Sequence, residues 1–563
     1  METPSKNPPG TPGVVKVNDW TDPARIALDG NSLTLRDIVR LARPDEARAP
    51  VAAVLDPAAA RAAEASVGLR DRLMAERRPI YGVTTGFGDS VTNQISPERA
   101  AQLQHNLIRY HLNGVGPNAP ADVVRATLLI RANCLALGNS GIRPLVVDRL
   151  LAHLDADILP LVPERGSLGA SGDLVPLCYV AATLLGDGDA QVGKHVLPVA
   201  EAQREAGIEP VALEAKEGLA LINGTSFTTA FAVLAAHDAA GIATAAEIVT
   251  AFVSEALLGN ASHFAEFLHR AKPHPGQVAS AAHLRRLLAG SRLSTTYEEI
   301  LAEAGRLEGR DHRELEVRIQ DHYSVRCAPQ VIGVLRDTLS WVEPWLTTEV
   351  NASTDNPLFS VEEERPHHGG NFYAGHVGQA MDSLKTATAN IADLLDRQLA
   401  LIIDPKFSGG LPANLVPPEL SAEAGLHHGF KGMQIAASAV TAEALKTALP
   451  ATVFSRSTEA HNQDKVSMAT TAARDARTVN ELTGQVAAIA LLAAAQALDL
   501  RGLDRAAPRT RAVHALIRAH APYADRDRRM DQDIAAVARL ISDGSLARAA
   551  GAADEREPHA AAS

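Results

Sequence analysis

Apolar positions along the chain recur mostly at the three- and four-residue steps of helices, and in one stretch they leave no polar face at all. From 226 to 258 nearly every residue is apolar, with only His237, Asp238, Glu247 and Glu255 charged or titratable. A helix with no wet face is a buried helix, so this segment is expected inside a large bundle or at a subunit interface. Over 377–403, Met381, Leu384, Thr388, Ile391, Leu395 and Ile402 form one stripe, ended by Pro405. A further Ala- and Leu-rich helix covers 483–500, and Ile534, Val537, Leu540 and Ile541 make a stripe stopped by Gly544. Nearer the start, Thr34-x-x-Asp37 reads as a capping box opening a helix through Ala42. Helical patterns follow over 57–77, 97–112, 121–137 and 144–154. Strand signals are sparse, chiefly a hairpin near 192–199, and there is no fixed-period repeat. The pattern predicts an all-α fold: a long central helix bundle, a smaller and mostly helical N-terminal part, and a few short strands.

Composition narrows this. With 46% hydrophobic and 21% charged residues in 563, the chain is globular and can bury a large core. The expected division is a disordered tail at 1–20, an N-terminal domain at 21–210, a central helical bundle at 211–545 and a second tail at 546–563. A formal net charge of −12 argues against nucleic acid or an anionic membrane as partner. Three scattered cysteines with no CxxC pair suggest neither a disulfide framework nor a thiolate zinc site. The start lacks an apolar signal core, and the most apolar helix-length run, 486–495, is too short to span a bilayer. A cytoplasmic protein is expected.

The candidate chemistry lies in the polar interruptions. Residues 166–173 read Gly-Ser-Leu-Gly-Ala-Ser-Gly-Asp ahead of an apolar helix. A phosphate loop is a poor reading, because no Lys follows and Asp173 puts a negative charge where an anion would sit. A nucleophile elbow fails on spacing, since Gly172 directly follows Ser171. Tyr81 to Gly88 reads Tyr-Gly-Val-Thr-Thr-Gly-Phe-Gly, a loop with three glycines. Tyr323, Arg326 and Gln330 share one face if a helix runs through them, although Pro329 can instead mark a helix start. Asn223-Gly224-Thr225 precedes the buried helix, Asp355-Asn356-Pro357 is a turn, and Asn462-Gln463-Asp464 precedes Val466. The pairs His367-His368 and His427-His428 lack metalloprotease spacing, so no metal is expected.

In this order and spacing these stretches closely resemble the aromatic amino acid ammonia-lyase and aminomutase family, over about residues 28 to 540. The resemblance implies that Ala170, Ser171 and Gly172 cyclise autocatalytically to a methylidene-imidazolone prosthetic group carried by the N-terminal part, with neither metal nor nucleotide. The residue types suit this: Ala170 is small at the closing carbonyl, Ser171 can lose its hydroxyl, and Gly172 can bend its nitrogen back. By resemblance Tyr81 is the base for the β-proton. Its phenol must fall below its usual pKa near 10, which an electropositive site would achieve. Arg326 matches the residue that clamps the substrate carboxylate. Asn223, Tyr323, Gln330 and Asn356 match residues bonding the ring or the amino-acid end. Phe372 matches an aromatic neighbour of the ring, and Gly88, Leu174 and Asn462 match positions lining the site. Asn371-Phe372-Tyr373 replaces the commoner Asn-Phe-His.

The pair aligned with the substrate's side chain is Tyr110-His111, where similar enzymes carry Phe-Leu, His-Leu or Ser-His. Two hydrogen-bonding groups suit a phenol. Gln463 stands where histidine enzymes usually have Glu. The resulting expectation is an ammonia-lyase for tyrosine and/or phenylalanine giving p-coumarate or cinnamate. The alternatives are an aromatic 2,3-aminomutase, a histidine ammonia-lyase giving urocanate and, least favoured, an inactive helical scaffold. The resemblance also implies a homotetramer whose sites combine residues from different subunits.

Overall fold

The computed structural model describes residues 25–44, 51–309, 311–423 and 425–551. It is 60% helix and 8% strand. Five helices position the site: α1 (Leu174–Leu184), α2 (Ser226–Ala256), α3 (Ala328–Val350), α4 (Gly375–Ile403) and α5 (Ala469–Arg501). α2, α4 and α5 pack on one another at the centre, and α3 lies against α2 and α4. One apolar cluster runs through them and on to Ile26 at one end of the chain and Ala550 at the other.

α2 is buried along nearly its whole length, as its lack of a polar face requires. Its few charges are each matched. Asp238 takes a two-pronged bond from Arg43 at 2.6 and 2.9 Å, and Glu255 accepts from Ala507 N–H at 2.7 Å. Glu247 bonds Arg336 and His283. Burial alone would push the Glu247 carboxyl up, but Arg336 and then His283 overcome it and hold it at about 2.

The structure departs from the sequence pattern in four places. α5 begins at Ala469, well before 483, because its first turns carry Thr, Arg and Asp facing other chain segments and so hide the apolar stripe. Tyr323 and Arg326 lie on a separate short helix, Tyr323–Arg326, which breaks at Cys327 before α3 starts with Pro329 in its first turn; Gln330 therefore shares no helix with them. The tail expected at 546–563 is helical at its beginning. Ser545–Ala549 forms a helix that buries Leu546 and Ala550 against the bundle. Finally, Glu217–Ala256 and α5 are each long and apolar enough to cross a membrane, yet 100% and 78% of their most apolar windows are buried inside the protein. They are core helices. The expected tail at 1–20 lies outside the described residues.

Short strands frame the glycine-rich stretch. Ile158–Pro160 joins the hairpin Asp189–Val192 and His195–Pro198, which turns at Gly193. Pro163–Arg165 pairs antiparallel with Val115–Asn118, the segment that follows the helix Ala100–His111. This ladder ties the end carrying Tyr110 and His111 to the turn at 166–173.

Candidate functional site

The chain from Gly166 to Asp173 cannot continue as helix, because Gly169 and Gly172 take left-handed backbone at φ 61° and 75°. Neither has room for a side chain: a Cβ on Gly172 would run into the Gly224 carbonyl, and one on Gly169 into the Ser467 hydroxyl. Asp173 N–H donates to Gly224 O at 2.7 Å, so the turn is seated on Asn223-Gly224-Thr225. From the other side, Ser467 Oγ donates to Gly169 O at 3.1 Å and Met468 N–H to Leu168 O at 3.0 Å.

Asp173 opens α1, but its carboxylate serves α2. It accepts from Thr228 N–H at 2.7 Å in the first turn of α2, and from the hydroxyls of Thr228, Thr470 and Ser167 at 2.6, 2.9 and 3.1 Å. Burial pushes its carboxyl up, and these four donors pull against that. The turn thus lies where the N-termini of α1 and α2 converge, at the positive ends of two helix dipoles. Leu174 is the first residue of α1, half-buried against the core.

Three further segments close on the turn. Gln463 Nε2 donates to Ser171 Oγ at 3.3 Å. Asn462 Nδ2 donates to Glu459 Oε2 at 2.7 Å, and Glu459 Oε1 accepts Asp89 N–H at 2.8 Å. Gly88 has no space for a side chain because that same carboxylate fills it, and Gly88 N–H donates to the Tyr81 hydroxyl at 3.0 Å. The Tyr81 loop is therefore bonded through Glu459 to the segment that holds Ser171. Asn223 is buried and donates to Asn356 O at 2.9 Å, while Asn356 Oδ1 accepts Gly369 N–H at 2.8 Å. Phe372, half-buried, follows three residues after Gly369.

Tyr110 and His111 end their helix with ring centroids 4.3 Å apart. His111 Nδ1 lies 2.9 Å from Leu107 O, and a carbonyl can only accept. Nδ1 therefore carries the proton, and Nε2 of the neutral ring is an acceptor. Burial holds His111 below the ordinary histidine range despite the Leu107 bond and Glu459. Burial, with Cys178, Tyr81 and Glu459 nearby, pushes the Tyr110 hydroxyl up to about 12.

Tyr323 and Arg326 lie elsewhere. The Arg326 guanidinium stands over the Tyr323 ring, 4.4 Å from its centroid, and donates to Asp321 O at 2.6 Å. Tyr323 lines a cleft of about 540 Å³ with His322, Arg397, Phe407 and Gln434. Gln398 bridges Ser324 O to Thr250 Oγ1 on α2, at 2.7 and 2.9 Å. Thr250 is about six turns, or about 33 Å, along α2 from the Thr228 that holds Asp173. One chain thus carries two separated groups of expected site residues. Gln330 belongs with the second, its Oε1 buried and without a partner among the described residues.

The separation also alters the expectation for Tyr81. Burial raises its phenol and Glu459 adds to this, outweighing the Gly88 N–H, and no cation among the described residues counters them. The histidine pairs are explained by local partners: His367 pairs with Glu363 and His427 with Glu423 and Asp527, while His368 Nε2 accepts from Tyr81 N–H.

Glu459 was not singled out from the sequence, and no local motif marks it. Gln104 was legible in principle as a lone amide on an apolar helix face. It is buried, donates to Gly82 O at 2.9 Å and accepts Leu219 N–H at 2.8 Å, which fixes the hinge of the Tyr81 loop.

Comparison with known proteins agrees on a family, while the named relatives differ in substrate and reaction. Residues 33–519 match the aromatic amino acid lyase family. The chain is 41% identical over 523 residues to a tyrosine ammonia-lyase of Cupriavidus metallidurans, covering 92% of this chain and 96% of that one. It is 40% identical over 525 residues to a histidine ammonia-lyase of Stigmatella aurantiaca, covering 93% and 98%. The crystal structure of a tyrosine aminomutase from Streptomyces globisporus superposes with a TM-score of 0.88 at 38% identity, covering 94% and 98%.

Proposed function

The chain belongs to the aromatic amino acid lyase family, and within it we propose an ammonia-lyase that converts L-tyrosine, and less efficiently L-phenylalanine, to the aryl acrylate. The observation that carries the reading is the glycine-bounded Ala170-Ser171-Gly172 turn, held at two helix N-termini with the Tyr81 loop bonded to the same segment. The residues fit a methylidene-imidazolone. Gly172 is already bent left-handed, a side chain there is barred by Gly224, and Ser171 is held by a hydroxyl that Gln463 can help to leave. Once formed, that group would supply an electrophilic carbon at the turn. Tyr81 is the residue placed to take the β-proton; the C–N bond breaks as the C=C bond forms, and ammonia leaves.

Arg326 suits the substrate carboxylate through its planar fork. Because its short helix is tied to Thr250, about 33 Å along α2 from the Thr228 that holds the turn, a working site takes it from another copy. Its charge there would also supply a cation that lowers the Tyr81 phenol pKa, which the described residues of one chain do not bring to it. Exposed apolar side chains such as Phe267 (81%), Leu426 (72%) and Leu449 (66%) offer surfaces for that assembly, which we take to be a homotetramer. Tyrosine is favoured by His111 Nε2, which can accept a phenolic proton and gains nothing from a phenyl ring.

An aminomutase outcome is the second reading, favoured by the Asp89–Glu459 bond that ties the loop shut. A loop that stays closed lets ammonia add back at the β-carbon. Incubation with tyrosine, phenylalanine and histidine separately, read by acrylate absorbance, free ammonia and β-amino acid, distinguishes these outcomes. Intact-protein mass is expected to fall two water molecules short of the sequence, and a full-sequence mass would sink the enzyme reading.

A further inference from the structure

Lys216 and Asp355 form an ion pair that no step above uses. Both side chains are 0% exposed, with Nζ 2.6 Å from Oδ2. Lys216 also takes left-handed backbone at φ 71°. A buried ion pair is a poor source of stability, since an apolar pair of similar volume often does as well, and left-handed backbone at a lysine adds strain.

The pair stands directly behind the site. The other Asp355 oxygen accepts Asn356 N–H at 2.7 Å and faces Asn223 Nδ2 at 3.4 Å. The Asn223 amide nitrogen thus has oxygens on both sides, Asp355 Oδ1 and Asn356 O, and this fixes which way the amide lies. Asn223 Oδ1 is left buried with no partner among the described residues. Arg131, also fully buried, braces both segments by donating to Thr354 O at 3.1 Å, beside Asp355, and to Ala220 O, three residues ahead of Asn223. It presses so close on Gly224 that no side chain would fit there. Gly224 in turn carries Asp173 N–H and bars a side chain at Gly172.

We propose that Lys216 and Asp355 are positioning residues that fix the Asn223 amide with its oxygen free and hold Gly224 beneath Gly172, a setting the turn needs in order to mature and act. The proposal rests on the reading of Ala170-Ser171-Gly172 as the precursor of the prosthetic group. Two double variants of the full-length protein separate this role from a structural one. Lys216→Met/Asp355→Asn removes both charges but keeps an acceptor toward Asn223 and Asn356, so the two-water mass deficit and activity within about tenfold of wild type are expected. Lys216→Met/Asp355→Leu removes the acceptor, so the deficit is lost, or activity falls about a hundredfold or more, while the melting temperature stays close to that of the first variant. A leucine variant with the full deficit and near-wild-type activity would overturn the proposal. If that variant is insoluble, Lys216→Met/Asp355→Ala takes its place. Insolubility of both, with the asparagine variant folded and active, shows a purely structural role and overturns it as well. A wild-type chain without the deficit is a different result, because it removes the functional reading itself.

Discussion

His111 makes the substrate question depend on a single proton. Nδ1 is committed to Leu107 O, so Nε2 accepts only while the ring is neutral, and burial keeps the ring neutral to a pH below the ordinary histidine value. The sign follows: the neutral form is fully present above about 6.5 and is lost as pH falls through the lowered value. The preference for tyrosine over phenylalanine, measured as the ratio of kcat/KM, is expected to be level at neutral pH and to decline in the acid range. A ratio that rises on acidification would contradict the role given to Nε2. His111→Phe is expected to cut the same ratio by about 10- to 100-fold at neutral pH, the cost of one buried polar group left unpaired. Tyr81→Phe is expected to lower kcat by about 100- to 10,000-fold while leaving the mass deficit intact, because the hydroxyl contacts Gly88 N–H and not the turn.

At the scale of elements, the segment 455–468 acts through the grip of Ser467 on the turn. Gly169→Ala is expected to impair maturation, since its Cβ meets the Ser467 hydroxyl and the backbone there is left-handed. Adding Ser467→Gly should restore part of the mass deficit by removing the collision, while the backbone strain of about 1–2 kcal/mol remains. No restoration at all would mean that the backbone strain, together with the lost Ser467–Gly169 bond, outweighs relief of the collision. This segment also shows where sequence reading stops. α2 and α4 were legible because burial on every side, or on one stripe, dictates their composition. The start of α5 was not, since its polar first turns lie against other parts of the chain. The motif residues were legible as types, but Glu459 was not, because its partners at Asp89 and Asn462 are set by a loop whose backbone is left-handed at Glu459, Ala460 and His461. The single face expected for Tyr323, Arg326 and Gln330 failed at Cys327, where a proline two residues on makes a new helix start more favourable than a continuous one.

For the whole molecule, the division of the site into two groups makes a claim about assembly. Mixing Tyr81→Phe chains with Arg326→Met chains, each strongly impaired alone, and letting them reassemble is expected to raise activity well above either parent. With random mixing and the two residues drawn from different copies, about a quarter of the sites are intact. If one chain supplied both residues, the mixture would stay as impaired as its parents. The same arrangement gives α2 a meaning that its apolar composition does not suggest. With Thr228 near one end holding the turn and Thr250 near the other tied to the arginine-bearing helix, its length would, in the proposed assembly, be a fixed gauge between two half-sites. Inserting one residue between them would turn one half against the other by about 100°, and inserting two full turns would keep the facing but part them by about 10 Å. Either change would put every site in the assembly out of alignment at once, with no catalytic side chain altered.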